Sequence, residues 1–355
     1  MPSTVGTSTR NEATNHPSQV KTFIAEGREW VFYSDGTNVV FRSRVISPLG
    51  SWSAATTFKS GGVSGYAISL WWDGTKVHTV SHGAVTGGMA LFYRCGTPNS
   101  DGTITWETER TAVAGVSGKY QSYMTVCVDS AGYPVVAYSL LGASYYYPRI
   151  VIATATDGST WGSPITLDTE GTAHKVMPLI LPLADRKLLA IWCNWQTGKT
   201  VSKYYNGTSW GAINNIGSRE QWGVHSAIVL GTKVICLIPV ATNDINAYEW
   251  TADTWGSATM IRDGTVGVIS KAGDNAYAFI RDGTKLYYAK YTGTWGTPVE
   301  WQTTTDWQQD WNFGCGYSGD GRIGVYWLEG TASPYNVRYK AFTYGAARSQ
   351  GFIIG

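Results

Sequence analysis

Four tryptophans, Trp195, Trp222, Trp307 and Trp311, stand in loop-like text together with Tyr120, Tyr146, Arg149, His174, Arg219, Glu220, His225 and Asp310. Flat aromatic faces near planar amides suit carbohydrate. The C–H face of a sugar stacks on a ring while its hydroxyls need paired donors and acceptors. The same residue types serve protein interfaces, where Trp, Tyr and Arg are enriched. Hydrolysis of a glycan needs two carboxyl groups several Å apart; Glu220 beside Arg219, and Asp310 between two tryptophans, are the candidates. Elimination from a uronate needs a base and a proton donor, for which His82, His174 or His225 and Tyr120 or Tyr146 are available. No set of acid, base and arginine declares itself by spacing, so the twelve residues named first are read as ligand-binding and the catalytic residues stay unassigned.

Metal chemistry is not indicated. His78 and His82 share a strand face four positions apart, too far to chelate one ion readily, and no metal or other cofactor is expected. Five cysteines, Cys95, Cys127, Cys193, Cys236 and Cys315, are widely and irregularly spaced, as buried free thiols would be. Charged residues make up 15% of the chain and the net charge is +2, with no run of like charge longer than two, so nucleic acid is not an expected partner. No apolar stretch approaches the roughly 20 residues of a membrane span, and the N-terminus lacks an apolar signal core. The sequence therefore reads as soluble, without membrane insertion, and compatible with a virion or an extracellular surface.

The elements that must position these residues repeat. Trp52, Trp106, Trp161, Trp210, Trp255 and Trp295 each follow a polar or glycine-rich turn and precede Gly, Ser or Glu, at spacings of 54, 55, 49, 45 and 40 residues; Tyr344 follows Trp295 by 49 in a matching frame. Strand-like text at that period predicts an all-β fold, a seven-bladed β-propeller of four-stranded antiparallel blades, with a six-bladed sialidase-like propeller as the alternative. Residues 1–19 are polar and outside the repeat, hence an arm, and 20–355 form a single propeller domain. The sixth blade is predicted at 266–270, 276–280, 285–290 and 297–301, and the first at 20–25, 30–33, 39–44 and 54–58. Asp-Gly pairs supply hairpin turns, and residues 346–354 can form the outer strand of the seventh blade.

With the strands of each blade lettered A to D, the A–B and C–D turns lie on one face and the B–C and D–A connections on the other. The A–B turns are minimal, whereas long text at 81–88, 141–149, 194–199, 241–246, 119–122, 170–175, 218–225 and 305–312 projects to the opposite face. A rigid scaffold that aims its long loops one way places the site there, near the axis.

At the tryptophan turns the text resembles the Asp-box, or BNR, repeat of sialidase-like propellers. The best copy, Thr154-Ala155-Thr156-Asp157-Gly158-Ser159-Thr160-Trp161, keeps the Gly, Thr and Trp and moves the Asp by one position. The resemblance implies the fold and puts the boxes on the face opposite the site. The arginine triad and Tyr-Glu nucleophile that it also implies are not matched: Arg149 and Arg219 are loop arginines, and Arg281 would have to turn inward as a third. The resulting expectation is a non-catalytic, lectin-like protein that binds a carbohydrate or glycoconjugate through its long-loop face, as a surface or virion adhesion component whose N-terminal arm docks onto protein subunits of an assembly. The alternatives are a sialidase-like glycoside hydrolase or a polysaccharide lyase at that face, and a structural subunit.

Overall fold

The computed structural model describes residues 1–61, 64–85, 88–142, 144–169, 176–218 and 224–344. Among them the strands form seven antiparallel sheets, six of which are consecutive in sequence. Blade 6 shows why the text folds this way. Of its strands, Val266–Ala272 and Asn275–Asp282 are buried on both faces, Lys285–Tyr291 is buried in part, and Val299–Thr303 at the outside is half-buried to exposed. Gly273 and Gly283 take φ of +59° and +57° at the two tight turns, where a side chain would be strained. Blades 2 and 5 add a short fifth strand, Ile104–Trp106 and Thr254–Trp255, carrying the turn tryptophan. The inner strands of blades 1 and 7 meet in a parallel bridge between Phe23 and Tyr317, which closes the ring.

The period-defining aromatics join each blade to the one before it. Trp106 of blade 2 packs among Phe32, Phe41 and Phe58 of blade 1, with centroid distances of 6.4, 6.5 and 5.0 Å. Trp161 meets Tyr93 edge-on at 5.5 Å, Trp255 donates to Ser202 Oγ at 2.8 Å, and Trp52 donates to Ser3 Oγ at 3.1 Å and packs on Tyr339 of blade 7. Trp210 and Trp295 pack on clusters shared with blades 3 and 5, and Tyr344 packs on Tyr277 of blade 6. Burying aromatic area between sheets that have no backbone ladder between them is what couples the blades.

Ring closure departs from the expectation. The outer strand of blade 7 is Ser3–Ser8, paired antiparallel with Tyr335–Thr343, so that Ser3 lies opposite Tyr339 and Ser8 opposite Tyr335. Residues 346–354, expected in that place, lie outside the described residues. An outer strand buries little, here Val5 and Ser8, so its sequence carries no apolar alternation to reveal it.

Residues 9–20 then cross the long-loop face to the axis. Thr9 N–H donates to Asp35 O, Gly65 N–H to Glu12 O, and Thr14 Oγ1 to Asn312 O. Gln19 Nε2 reaches Met124 O at 2.8 Å, while Tyr326 donates to Gln19 O at 3.0 Å. Lys21 is fully buried, donating to Gln19 Oε1 and Ile68 O, and burial pushes its pKa well below that of a free lysine. Ala13, Thr14, Asn15 and Gln19 are likewise buried. A polar stretch can occupy the axis because the inner strands offer backbone partners for its amides. The arm expected to reach a partner subunit is thus packed into its own propeller. Below it the axis holds a cavity of about 540 Å³ whose lining runs from Pro17 and Ser18 to the A–B turns at Asp73 and Asp129.

Candidate functional site

On blade 3 the inner strand Tyr120–Val128, the strand Pro134–Leu141 and the strand Tyr146–Ile152 end together on the long-loop face. Register sets Tyr120 opposite Leu141 and Leu141 opposite Tyr146, a row of three side chains on one side of the sheet. Tyr120 is 58% exposed and Tyr145, in the tight turn closed by Gly142 N–H to Tyr145 O, is 47% exposed. Tyr146 is half-buried against the core between blades 3 and 4. Val85 and Val116 are also exposed, and their segments adjoin: Gly88 lies close to the Val116 backbone, and Gly115 to the Val85 side chain.

The text at 145–149, read as a loop, is mostly strand, and this changes Arg149. Its Nε donates to Thr166 Oγ1 at 3.1 Å, and it lies opposite buried Tyr138 in the ladder. Burial pushes the Tyr138 hydroxyl up to about 12 against the opposing charge of Arg149. Arg149 is a part of the sheet, not a free loop cation.

Between blades 6 and 7, Trp307, Asp310 and Trp311 come together with Arg281. Trp307 stacks on Trp327 at 6.1 Å with 3° between the planes, meets Phe313 edge-on at 5.4 Å, and carries the Arg281 guanidinium 4.6 Å over its ring. Asp310 is ion-paired with Arg281, whose pKa burial lowers to about 10. Trp311 packs partly buried on the same core. A ring already engaged by Trp327 and a cation has little surface left for a sugar, so Trp307 is chiefly a packing residue.

Trp195 is half-buried in the turn after the strand Leu188–Asn194, where Asn194 Oδ1 accepts the N–H groups of Gln196 and Thr197 at 3.1 Å. His225 is buried with Nδ1 3.4 Å from Cys193 Sγ, inside the core and away from solvent. His174, Arg219, Glu220 and Trp222 lie outside the described residues. The eight predicted residues that are described thus divide among blade 3, the junction of blades 6 and 7, and the region of Trp195 and His225, while residues 13–19 are buried at the axis. The run Tyr145-Tyr146-Tyr147 reads in sequence as a contact ridge, and Tyr145 is its exposed ring. Sequence reasoning missed the exposed Val85 and Val116 and the paired Trp71 and Trp72 that line the axial cavity. An adjacent Trp-Trp ahead of an Asp-Gly turn was the available signal for the last.

No family model and no curated protein matches this sequence. Solved structures do resemble it. The polysaccharide lyase Uly1 has 11% identity over 92% of this chain and 90% of its own, with a TM-score of 0.55. The Aleuria aurantia lectin, a six-bladed propeller described with a fucose recognition mode, has 14% identity over 98% and 100%, with a TM-score of 0.50. The NanB sialidase of Streptococcus pneumoniae has 9% identity over 92% and 86%, with a TM-score of 0.50. At these identities the likeness is one of fold, and the resemblance to sialidase-like propellers holds at that level. Among the described residues, no helix is long and apolar enough to cross a membrane.

Proposed function

We propose that the chain is a glycan-recognition propeller that binds without turnover, using the long-loop end of blade 3. The carrying observation is the pair of exposed tyrosines, Tyr120 and Tyr145, at the same end of one blade beside half-buried Tyr146. Exposed rings on a rigid sheet end give a sugar face a stacking surface with little ordering cost. Among the described candidates the chemistry supports binding over hydrolysis or elimination: Asp310 is engaged by Arg281, His225 is buried beside Cys193, and Arg149 is held in its sheet. Fold similarity to a lectin named for fucose recognition supports the same direction by analogy.

The tryptophan turns fit degenerate Asp-boxes. Asp157 Oδ1 accepts Ser159 N–H at 2.9 Å and Trp161 Nε1 donates to Gly158 O at 2.8 Å, so a shifted acid still ties the turn. The setting we infer is adhesion at a surface or virion.

A glycan array tests the reading. Wild type should bind a restricted set of saccharides, and Tyr120→Ala with Tyr145→Ala should lose them by about tenfold or more, the equivalent of roughly 1.4 kcal/mol. Binding to no glycan, or equal binding by the double variant, overturns it. Release of monosaccharide or unsaturated uronate from mixed polysaccharides would replace it with an enzyme.

A further inference from the structure

We propose that the axial cavity is a second ligand site, opening on the turn face, for a small uncharged molecule with a flat ring and a hydrogen-bond acceptor. It does not depend on the glycan reading, since it lies on the opposite side of the plug formed by residues 13–19. Its volume of about 540 Å³ is that of a small-molecule pocket. It is blind at the long-loop end, where Pro17 and Ser18 are buried, and accessible at the other, where Asp73, Gly74 and Lys271 are exposed.

The inner strands supply an aliphatic wall, with Leu70, Val128, Ile180 and Val229 among its residues, and Trp71, Trp72 and Tyr317 stand half-buried in it. Trp71 meets Tyr317 edge-on at 5.4 Å, and Trp72 stacks on Phe23 at 5.1 Å. Indole and phenol rings set among branched aliphatic side chains favour a flat ring over a flexible chain.

The acceptor follows from donors that the fold leaves unused. Some lining hydroxyls are committed: Thr125 Oγ1 donates to Pro178 O at 3.0 Å, Ser270 Oγ donates to Gly316 O at 2.6 Å, and Ser226 Oγ accepts Ile269 N–H at 3.2 Å. Among the described residues, neither the indole N–H of Trp71 or Trp72 nor the Tyr317 hydroxyl has a hydrogen-bond partner, and the hydroxyls of Ser18, Ser69 and Ser318 have none either. A hydroxyl can give or take a hydrogen bond, but an indole N–H only gives one, so the ligand must bring the acceptor. Burial pushes the Tyr317 hydroxyl well above its ordinary value, which keeps its proton in place as a further donor.

Neither sign of charge prevails. Asp129 accepts Arg186 Nε at 3.1 Å, and Asp73 accepts His78 Nε2 at 2.9 Å and the N–H groups of Thr75 and Lys76 at 2.7 and 2.6 Å. Two carboxylates are thus set against Arg186 and the exposed Lys271. A charged ligand would lose water without gaining an opposite charge that is free, whereas an uncharged one bears no such cost.

Prodan, an uncharged naphthalene with a propionyl carbonyl, has both features, and dimethylaminonaphthalene has the ring alone. The folded protein should bind about one equivalent of Prodan saturably, read by the blue shift of the probe's own emission. Trp71→Phe with Trp72→Phe keeps two flat rings and removes both indole donors. It should weaken Prodan about fivefold or more while moving the carbonyl-free probe by less than about twofold, as expected for lost hydrogen bonds. Lys271→Ala, and Tyr120→Ala with Tyr145→Ala, should each leave Prodan within about twofold of wild type. Should the indole variant fail to fold, as judged by its melting transition, Tyr317→Phe takes its place, removing a hydroxyl and no ring, and must weaken Prodan more than the carbonyl-free probe. Non-saturable binding, wild-type Prodan affinity in the folded donor variant, or loss of Prodan in the tyrosine double variant overturns the site. Equal loss of both probes in the donor variant overturns the acceptor, and a larger loss in Lys271→Ala overturns the assignment of the donors.

Discussion

At the long-loop end of the axis Ala13, Thr14 and Gln19 are buried in a web of hydrogen bonds to blades 1, 3 and 7, whereas at the turn end Trp72 and Lys271 border an accessible cavity. One end has lost its central site to the chain's own N-terminus and keeps its exposed aromatics on the rim. The other has short turns and keeps the hollow. Loop length and axial access are therefore separate properties of a propeller face, because a single segment of about ten residues can close the axis without shortening any loop.

The comparison breaks most readily at the plug. Removing residues 1–12 takes away the outer strand of blade 7 and the anchor of the axial segment. The expected loss is on the order of 5 kcal/mol, comparable to the whole stability of a marginal domain, or outright failure to fold. Denaturant titration reads it, and a truncated chain as stable as the full one would mean that the N-terminus is an ornament on a closed ring.

The next largest effect belongs to the turn face. Trp106→Ala empties a site among Phe32, Phe41 and Phe58 and should cost about 3 kcal/mol by thermal or denaturant unfolding, with glycan binding unchanged.

On the long-loop side of blade 2, burial first and then the charge of Lys59 lower the His82 pKa to about 4, below the ordinary value of 6.5. Its ring nitrogens are shielded from solvent. As pH falls, the unfolded chain takes up this proton before the folded one. The contribution is thus complete above pH about 6.5 and lost toward pH about 4, roughly 3 kcal/mol in all. His82→Gln should flatten that part of the stability curve. An unchanged slope would place His82 in a wetter rim than its burial indicates.

Tyr120→Ala should be the mildest, within about 0.5 kcal/mol of wild type, because an exposed ring contributes to recognition and not to the core.

Much of the fold is legible in the sequence because the determining signals are local. Trp161 in its Asp157-Gly158 turn, and Gly273 and Gly283 between alternating strands, state blade and turn within a few residues. Ser3–Ser8 was not legible, since a polar outer strand satisfied by backbone pairing carries no pattern. The burial of residues 13–19 depends on partners as distant as Met124, Asn312 and Tyr326, which nothing in the local text announces. For the site, residue type gave the aromatic candidates but not their commitments. Trp307 and Tyr120 read alike in sequence, and only packing shows that one is stacked on Trp327 under Arg281 while the other faces solvent.

The most direct test of glycan recognition on the blade 3 rim is a titration of the best array ligand against wild type and the Tyr120→Ala and Tyr145→Ala double variant, with folding of both checked by their melting transitions. Binding lost in a folded tyrosine variant is the predicted result. Binding retained at wild-type affinity in that variant would contradict it.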